Sequence, residues 1–493
     1  MTLQDLLQGI APTEQLPAQV RGATVRGLAF DSRKVKQGSL FFAFSGANVD
    51  GRVYAKQAMD QGAIAVVSDQ SPLPDFQGPW IQVPHGRQAL SLAAGRFFNH
   101  PDQRIGVTGV TGTNGKTTTT YLIDSILRAA GKTTALVGTI EYRLAGKVIT
   151  AVNTTPESLE MFQILSDLER AGGTHFTTEA SSHALALGRV AGLYFHTAVF
   201  TNLTRDHLDF HKTMEAYFAA KQMLFEPELA APPRYAVINH DDAYGRALQL
   251  KPETEVLSYG MEEGSAIRAH AVSSSFEGLR FEVDFRGKSY PLESPLVGAF
   301  NVYNILAAWG TGFSYEIDPE VIAQGVRECA AVPGRFERVR VGQPFLVVVD
   351  YAHTDDALRN VIRVARALTK GRVITLFGCG GDRDRAKRPL MGEAAAMGSD
   401  FVVLTSDNPR SEDPLAIMND ALVGLRRHDT EHLIEPDRAT AIRRAIERAQ
   451  PGDVVILAGK GHETYQVLKD RTISFDDREV ARSVLRQFGY GKK

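Results

Sequence analysis

The chain has 493 residues, of which 43% are hydrophobic and 23% are charged, and its formal net charge is −2 at pH 7. This composition is typical of a soluble globular protein, and the length predicts about three domains. A net charge so close to zero gives no reason to expect a nucleic-acid or membrane partner. Two cysteines, Cys329 and Cys379, are too few for a disulfide framework or a cysteine-based zinc site.

Targeting segments and linkers can also be judged from the sequence. The first 15 residues are polar and lack the apolar core of a signal peptide, and no run of 18 apolar residues predicts a membrane-spanning helix. We therefore expect a cytoplasmic protein. Proline and glycine interrupt regular structure at His100-Pro101-Asp102 and at Val332-Pro333-Gly334-Arg335. These breaks predict three domains, covering residues 1–100, 101–333 and 334–493.

The most informative motif is a glycine-rich loop, Gly109 to Thr117, which follows an apolar run and precedes a predicted helix. In such strand–loop–helix units, backbone N–H groups and the helix N-terminus bind phosphate. The loop lysine, Lys116, contacts the outer phosphates, and the Thr117 hydroxyl binds Mg²⁺. The usual pattern has a glycine where this chain has Val110. A flexible glycine turn is the alternative, but the flanking strand and helix favour nucleotide binding.

The C-terminal third alternates between short apolar runs and longer helical patterns. Such alternation implies a parallel sheet with right-handed crossovers. The predicted strands are 345–349, 373–377, 401–404 and 454–457, and the predicted helices are 355–368, 388–397, one after Asp413, and 439–449.

Polar clusters follow each of these predicted strands. Ligands of parallel sheets bind beyond the carboxyl ends of the strands, so the clusters predict a binding site, with solvated loops as the alternative. The clusters are Asp350–His353, Gly380–Asp384, Asp407–Arg410 and Gly459–Glu463. The segment Gly378–Gly381 lacks the third glycine and the acidic partner of a dinucleotide site. We therefore reject NAD binding and regard Cys379 as a small loop residue.

Residues suited to metal binding lie between these two regions. A predicted strand, 174–178, ends at Glu179, where a carboxylate near a phosphate loop is well placed to bind Mg²⁺. His207 lies in a polar segment, and an isolated histidine there is more simply a hydrogen-bonded loop residue. Lys221 lies in the predicted helix 214–225, where the simplest interpretation is a lysine whose stem covers an apolar face.

Several motifs, in the same order along nearly the whole chain, together resemble the Mur ligase family of ATP-dependent amide-bond ligases, which build the peptidoglycan precursor. Their combination is far more specific than any one motif. The matching segments are Gly112–Thr118, Glu179–His183, Asn202–Asp209, Gly298–Asn304, Pro333–Glu337 and Asp350–His353. Asp31-Ser32-Arg33 and Gly38–Ala43 resemble the UDP-binding domain of the members that add the third amino acid of the peptide.

The resemblance implies an α/β fold of three domains: an N-terminal UDP-binding α/β domain, a central P-loop ATPase domain with a mostly parallel sheet, and a C-terminal Rossmann-like domain. It also implies that ATP, with Mg²⁺, phosphorylates the D-glutamyl carboxylate of UDP-N-acetylmuramoyl-L-alanyl-D-glutamate. An amine then displaces phosphate from the acyl phosphate. Phosphorylation is needed because an unmodified carboxylate could lose only oxide. Lys116 and Mg²⁺ would offset the repulsion between the two anions.

The family motifs assign roles to individual residues. For ATP, the resemblance implies contacts from Gly112, Thr113, Asn114, Gly115, Lys116, Thr117, Thr118, Asn301, Asn304, Arg335 and Asp350. Thr117 and Glu179 are expected to bind one Mg²⁺. His207 and Lys221 are expected to bind a second, with Lys221 carbamylated so that its ammonium becomes a carboxylate-like ligand. The expected catalytic residues are Lys116, Lys221, His207 and Glu179.

The muramoyl dipeptide is expected to contact Ser32, Asn153, Thr154, Thr155, Ser181 and Arg189. Two positions depart from the family pattern. A glutamine often lies two residues before Arg189, where this chain has Leu187, so one substrate hydrogen bond is expected to be absent or supplied elsewhere. Asp355 replaces a proline at the start of a predicted helix. Because an acidic side chain also favours a helix N-terminus, we expect little functional change.

The segment Asp407-Asn408-Pro409-Arg410 indicates which amine is added. Family members that add meso-2,6-diaminopimelate carry this motif, whereas lysine-adding members generally lack its arginine. An arginine can bind the distal carboxylate of diaminopimelate bidentately but would repel the bare ammonium of L-lysine. The resemblance implies diaminopimelate contacts from Arg383, Asp407, Asn408, Arg410, Gly459 and Glu463.

Three alternatives stay open on the sequence alone. An L-lysine-adding ligase would have the same fold and reaction. A folylpolyglutamate synthetase shares the ligase core but lacks the UDP-binding domain to which residues 1–100 correspond. A non-enzymatic ATP switch would not need the polar clusters of the C-terminal sheet. We expect a monomer whose partners are its small-molecule substrates, without nucleic acid or membrane.

Overall fold

Three main sheets organise the chain. The computed structural model describes residues 1–46, 49–151 and 153–491, and no helix among them is long and apolar enough to cross a membrane. Within these residues, sheets of four, eleven and six strands follow one another along the chain, and a two-stranded hairpin lies near the C-terminus. The predicted α/β fold of three domains is confirmed.

Helices cover both faces of the N-terminal sheet. Its parallel strands are β1 (Gly27–Ala29), β2 (Ser39–Phe42), β3 (Ala63–Ser68) and β4 (Trp80–Gln82), and its helices are α1 (Leu3–Leu7), α2 (Ala55–Asp60) and α3 (Gly86–Phe97). Successive side chains of a strand point to opposite faces. Leu40 and Phe42 therefore join the hydrophobic cluster that contains α1 and α3, whereas Phe41 joins the cluster that contains α2.

The central sheet places the predicted phosphate loop near its middle. Its strands are β5 (Gly106–Thr111), β6 (Thr134–Val137), β7 (Glu141–Leu144), β8 (Lys147–Thr150), β9 (His175–Glu179), β10 (Thr197–Phe200), β11 (Tyr235–Asn239), β12 (Glu255–Gly260), β13 (Ile267–Ser275), β14 (Gly278–Phe285) and β15 (Lys288–Ser294). Its helices are α4 (Lys116–Ala129), α5 (Ser158–Arg170), α6 (Ser182–Ala186), α7 (Leu208–His211), α8 (Met214–Gln222), α9 (Ala243–Ala247), α10 (Phe300–Ser314) and α11 (Pro319–Glu328).

The strand order of this sheet is β15-β14-β13-β12-β11-β10-β5-β9-β6-β7-β8. The strands from β13 to β6 run parallel, and antiparallel hairpins extend both ends. Because β5 lies between β9 and β10, the loop that follows β5 has the carboxyl ends of both neighbours beside it.

The C-terminal sheet is parallel apart from its first strand. Its strands are β16 (Glu337–Val339), β17 (Leu346–Asp350), β18 (Val373–Phe377), β19 (Phe401–Thr405), β20 (Glu431–Glu435) and β21 (Val454–Ala458), with the hairpin β22 (Tyr465–Val467) and β23 (Thr472–Ser474) following. Its helices are α12 (Asp355–Leu368), α13 (Lys387–Gly398), α14 (Pro414–Leu425), α15 (Arg438–Glu447) and α16 (Asp477–Gln487). The order is β16-β17-β21-β18-β19-β20, and β16 is antiparallel to β17.

The predicted elements of this domain are confirmed with small shifts at their ends. Two strands of the six-stranded sheet, β16 and β20, were absent from the sequence prediction, as was the hairpin of β22 and β23. The edge strand β20 contains only two apolar residues, Leu433 and Ile434, which are too few for a recognisable apolar run, and β16 is only three residues long. The predicted helix 214–225 ends earlier, at Gln222, and the predicted strand before the phosphate loop begins at Gly106.

Candidate active site

The phosphate loop joins β5 to α4. Gly112 and Gly115 have φ angles of +147° and +88°, and a Cβ at either position would collide with Thr201 or Asn304. Only glycine adopts such conformations readily. Val110, by contrast, is a fully buried residue of β5. The position where the usual pattern has a glycine is therefore a strand position here, and Gly112 and Gly115 supply the backbone freedom of the loop.

Lys116 lies over this loop. Its Nζ donates to the carbonyl oxygens of Gly112 at 2.8 Å and Thr113 at 2.9 Å. Burial lowers the pKa of Lys116 below its usual value, although Glu179 and Asp206 oppose that shift. Among the described residues, no carboxylate forms an ion pair with this ammonium, so its charge is available to an anionic ligand.

Thr117 and Glu179 lie in direct contact, as expected for a shared metal. The Thr117 hydroxyl donates to Glu179 Oε1 at 3.0 Å, and both side chains are buried. The N–H of Thr139 also donates to Glu179 Oε1, at 2.8 Å. A hydroxyl and a carboxylate beside a phosphate loop fit Mg²⁺, which favours one or two carboxylates together with phosphate oxygens and water.

The remaining ligands of such an ion would have to come from nucleotide and water. Across residues 1–46, 49–151 and 153–491, no group of three or more His, Cys, Asp or Glu side chains is arranged to hold a metal ion. Thr117 and Glu179 therefore form a partial site that a phosphate could complete.

Lys221 does not extend to solvent. It is 1% exposed, and its Nζ donates to the carbonyl of Gly112 at 2.8 Å while lying 4.5 Å from the Tyr217 ring centroid. The interpretation of a lysine stem covering an apolar face is therefore wrong, because the amino group points beneath the phosphate loop. Burial, and then the charge of Lys116, hold the pKa of Lys221 well below its usual value. An ammonium cannot bind a cation, so this residue could hold a metal only after losing its proton, as a neutral amine or as a carbamate.

His207 occupies a left-handed backbone position, with φ of +53°, at the start of α7. Its Nε2 lies 3.3 Å from Asp206 Oδ2, and its ring packs edge-on against His183 at 4.8 Å between centroids. Burial lowers the pKa of His207, against the opposing effect of Asp206. A neutral imidazole retains the lone pair that a metal requires.

A cavity of about 470 Å³ lies between the central and C-terminal domains. The residues expected for catalysis and nucleotide binding that line it are Thr113, Asn114, Gly115, Lys116, Thr117, Thr118, Glu179, His207, Asn304, Arg335 and Asp350. Asn301 lies behind this wall. It accepts from Asn304 Nδ2 at 2.9 Å and donates to the carbonyl of Val297 at 2.8 Å, so it orients Asn304.

Residues of the C-terminal domain reach across this cavity. Arg335 Nη2 donates to the Thr117 hydroxyl at 3.2 Å, and its guanidinium lies 4.7 Å from the Tyr351 ring centroid. Asp350 accepts from the N–H groups of Phe336 and Ala352, and burial raises its pKa. The two domains are thus in contact at the phosphate loop itself.

The first turn of α12 adds three further contacts. Asp356 accepts from Asn114 Nδ2 at 3.0 Å and from the Thr204 hydroxyl at 3.1 Å. Asp355, at the position of the family proline, pairs with Arg205 at 3.1 Å, a contact that proline could not make. Asp356 belongs to none of the sequence motifs, and its place shortly after the cluster Asp350–His353 is the only signal that points to it.

The residues expected to hold the dipeptide divide into two groups. Thr155 donates to the backbone carbonyl of Glu179 at 2.7 Å and to Ser181 Oγ at 3.2 Å, and Arg189 Nη1 donates to the Thr155 carbonyl at 3.1 Å. Thr154 Oγ1 lies 3.1 Å from Thr139 Oγ1 in the same region. The second group lies apart from these contacts: Ser32, which donates to Gln57 in the N-terminal domain, and Asn153, whose N–H donates to the Tyr142 hydroxyl.

A shared carboxylate joins the N-terminal and central domains beside this region. Glu157 Oε1 lies 3.2 Å from Arg87 Nε and 3.1 Å from Arg189 Nε. The Arg87 guanidinium also lies 4.4 Å from the Phe44 ring centroid. Arg87 has no motif around it in the sequence, so only the folded chain places it next to Arg189.

The predicted diaminopimelate residues lie at the carboxyl edge of the C-terminal sheet, following β18, β19 and β21. Asn408 Nδ2 donates to Glu463 Oε2 at 2.9 Å, and Arg410 Nη1 donates to the Gly381 carbonyl at 2.8 Å. A Cβ at Gly459 would lie 2.5 Å from Asp407 Oδ2, so this position leaves room for that carboxylate. Arg383 donates to the carbonyl of its neighbour, Asp382, on the loop after β18.

Three buried cations support this cluster, and none of them is assigned a role by a sequence motif. Lys460 pairs with Glu463 at 2.9 Å. Arg388 pairs with Glu412 at 2.7 Å and with Asp420 at 2.9 Å. Arg438 pairs with Asp477 at 2.7 Å, and both side chains are 0% exposed. Arg438 also donates to the carbonyl of Ser406, which follows β19, and to the carbonyl of Ala458, which ends β21.

The fold and the site define a class: a P-loop nucleotide-binding protein whose nucleotide cavity is covered by a Rossmann-like domain. The chain belongs to the Mur ligase family. The family models described as Mur ligase family catalytic domain, Mur ligase middle domain, and Mur ligase glutamate ligase domain match residues 24–98, 110–312 and 334–461.

Relatives and solved structures resemble the chain over most of its length. The UDP-N-acetylmuramoyl-L-alanyl-D-glutamate–2,6-diaminopimelate ligase of Solibacter usitatus is 66% identical over 490 residues, which is 99% of each chain. A solved structure of a ligase with that name is 34% identical, covers 99% of each chain and has a TM-score of 0.71. A folylpolyglutamate synthase of Mycobacterium tuberculosis, complexed with ADP and AMPPCP, shares the fold at a TM-score of 0.61 with 16% identity, covering 82% of this chain and 96% of its own.

Proposed function

We propose that the chain is an ATP-dependent ligase that joins meso-2,6-diaminopimelate to the D-glutamyl carboxylate of UDP-N-acetylmuramoyl-L-alanyl-D-glutamate. The observation that carries this proposal is the cluster at the edge of the C-terminal sheet, where Arg410 and Glu463 both contact Asn408. A cation and an anion together suit the distal zwitterion of diaminopimelate. The 66% identity to a relative of that name supports the same substrate.

The phosphoryl transfer rests on residues of the central domain. Lys116 binds the outer phosphates and brings the γ-phosphoryl group toward the substrate carboxylate. Thr117 and Glu179 would hold Mg²⁺, which would neutralise charge on the nucleotide phosphates. Asn304, Arg335 and the other nucleotide residues named above orient ATP, with Asn301 acting through Asn304.

Lys221 and His207 are proposed to hold a second Mg²⁺, with Lys221 carbamylated. The lowered pKa of Lys221 supports this, since its neutral amine can add to CO₂ and release one proton to give the carbamate. A crystallographic map at Lys221, from protein grown with bicarbonate, should contain density for three extra atoms on Nζ. A bare amine in that map would exclude the carbamate.

The three domains are proposed to hold the three reactants. Residues 1–100 bind the UDP moiety, with Ser32 among the contacts, residues 101–333 bind ATP, and residues 334–493 bind the amine. Asn153, Thr154, Thr155, Ser181 and Arg189 bind the dipeptide between the first two. We further propose that the enzyme works in the cytoplasm as a monomer with small-molecule substrates only.

One assay tests the function against its alternatives. Purified protein is given Mg²⁺-ATP and UDP-muramoyl dipeptide together with meso-diaminopimelate, L-lysine or no amine, and phosphate release and product mass are measured. We expect phosphate release to require both the dipeptide and meso-diaminopimelate, with a product heavier by one diaminopimelate less water. Preference for L-lysine would replace the amine assignment. Hydrolysis indifferent to both co-substrates would favour an ATP switch, and turnover with a folate and glutamate would favour a folylpolyglutamate synthetase.

A further inference from the structure

Lys460 is a fully buried cation beside the predicted amine-binding cluster. Its side chain is 0% exposed, and its Nζ donates to Glu463 Oε2 at 2.9 Å and to Asn408 Oδ1 at 3.2 Å. The N–H of Glu463 donates to the Lys460 carbonyl at 3.0 Å, so a turn of the backbone fixes these two side chains side by side. Because Lys460 is covered, it acts on a ligand through its two partners.

Lys460 helps to determine which way the Asn408 amide faces. Asn408 Oδ1 accepts from Lys460 and also from the N–H of Val467 at 2.9 Å. With two donors on its oxygen, the amide must direct Nδ2 toward Glu463 Oε2, at 2.9 Å. Glu463 Oε2 thus receives two donors, and among the described hydrogen bonds its Oε1 is left open for a ligand ammonium.

The charges of the cluster favour a zwitterion. Among the residues assigned to the amine, together with Lys460, the cations are Arg383, Arg410 and Lys460 and the anions are Asp407 and Glu463, so this set has one positive charge in excess. A ligand terminus that carries both an ammonium and a carboxylate has no net charge, and the excess positive charge of the cluster attracts its carboxylate. A bare ammonium is repelled by the same excess.

We propose that Lys460 is a positioning residue that makes this cluster prefer an amino-acid terminus over a bare ammonium. The proposal rests on the proposed function, because it assumes that the cluster binds the distal end of the added amine. Without Lys460, Glu463 becomes an unpaired carboxylate that attracts any ammonium. The cluster then attracts the distal ammonium of L-lysine more strongly. For meso-diaminopimelate, the stronger attraction of its distal ammonium is offset by a weaker attraction of its distal carboxylate.

The test compares kcat/KM for meso-diaminopimelate and L-lysine in four proteins. Lys460→Met removes charge and hydrogen bonds, Lys460→Gln retains a polar group without the charge, and Lys469→Met removes an exposed lysine from the turn of the neighbouring hairpin. We expect the ratio of kcat/KM for diaminopimelate to that for lysine to fall at least about tenfold in both Lys460 variants. The Lys469 variant should match the wild type.

The kinetic parameters that change distinguish this positioning role from a general structural role. KM for ATP and for the dipeptide should stay within about twofold of wild type in a folded Lys460 variant, because the defect is confined to the amine. If Lys460→Met does not fold, the Gln variant decides. An unchanged ratio in a folded variant overturns the proposal. A wild type that fails to use meso-diaminopimelate overturns the proposed function instead, so the two failures are distinct.

Discussion

The phosphate loop and the amine-binding cluster differ in whether their cationic side chains form ion pairs. At the phosphate loop, Lys116 and Lys221 donate to backbone carbonyls, and no carboxylate of the described chain forms an ion pair with either. At the cluster, Lys460 is paired with Glu463, and Arg438 beneath it is paired with Asp477. The two sites are built for ligands of different charge.

The difference follows from the ligand each site would receive. Triphosphate brings several negative charges, so a site for it can leave cations unpaired until the ligand arrives, at a cost in stability that appears as lowered lysine pKa values. The distal end of diaminopimelate is a zwitterion, so its site contains both signs of charge and can neutralise itself. Removing a cationic side chain by substitution should therefore affect stability and activity differently at the two sites.

Removal of Lys116 should give the largest effect on activity. We expect Lys116→Met to reduce the ligation rate by about 10³-fold, because this cation meets charge that develops during phosphoryl transfer. Since the ammonium is unpaired without nucleotide, the free energy of unfolding of the ligand-free protein should stay constant or rise by up to about 1 kcal/mol. Steady-state rates and denaturant titrations measure both. A rate within tenfold of wild type would contradict the assigned role.

Removal of Arg438 should have the largest effect on stability. Arg438→Met leaves the buried Asp477 carboxylate without its partner, at a cost of about 3–5 kcal/mol in the free energy of unfolding. The double variant Arg438→Met/Asp477→Leu removes both charges and should recover most of that loss. Urea unfolding followed by circular dichroism provides the measurement. If the single variant lost less than the double variant, the buried pair would not be the cause.

Replacing the guanidinium of Arg410 with an ammonium should affect only the use of the amine substrate. In Arg410→Lys, a point charge replaces a planar group that can bind a carboxylate through two parallel hydrogen bonds, and we expect kcat/KM for meso-diaminopimelate to fall about 30- to 100-fold. Exposed Arg426→Lys, on the same domain, is a matched control that should behave as wild type. Unchanged kinetics for Arg410→Lys would remove this residue from the substrate assignment.

The pH dependence of stability should give the smallest effect. Burial holds the pKa of Lys221 in the folded chain well below its usual value of 10.5. At pH values between the folded-state pKa and 10.5, the unfolded chain therefore binds more protons than the folded one. Stability from this residue therefore rises as the pH increases through that window toward 10.5. In CO₂-free buffer, Lys221→Met should flatten the rise in unfolding free energy as the pH increases toward about 10. Equal slopes for the two proteins would show that Lys221 is not a destabilising cation.

Much of the fold could be read from local patterns. The buried parallel strands β17, β18, β19 and β21 are continuous apolar runs, and the polar segments after them meet at one edge because the strands are parallel. The strand β20 escaped prediction because it is an edge strand with only two apolar residues, Leu433 and Ile434. Local sequence carries little information about such an edge.

The site was predictable where a motif fixes the backbone. Lys116, Thr117 and Glu179 follow strands whose neighbours are set by the sheet order, and the structure brings them together. The burial of Arg388 and Arg438 was not predictable, because arginine is normally exposed and its partners lie 24 to 39 residues away in the chain.

By itself, the sequence determined the nucleotide loop, the three-domain organisation and the polar edge of the C-terminal sheet, because each depends on residues close together in the chain. Only the tertiary structure decided which cations are paired and which are left for a ligand. Charge pairing depends on side chains from distant segments, and burial sets how strongly they interact. Lys221 illustrates this, since its helix pattern suggested a stem that covers an apolar face, whereas the fold directs its amino group to the carbonyl of Gly112.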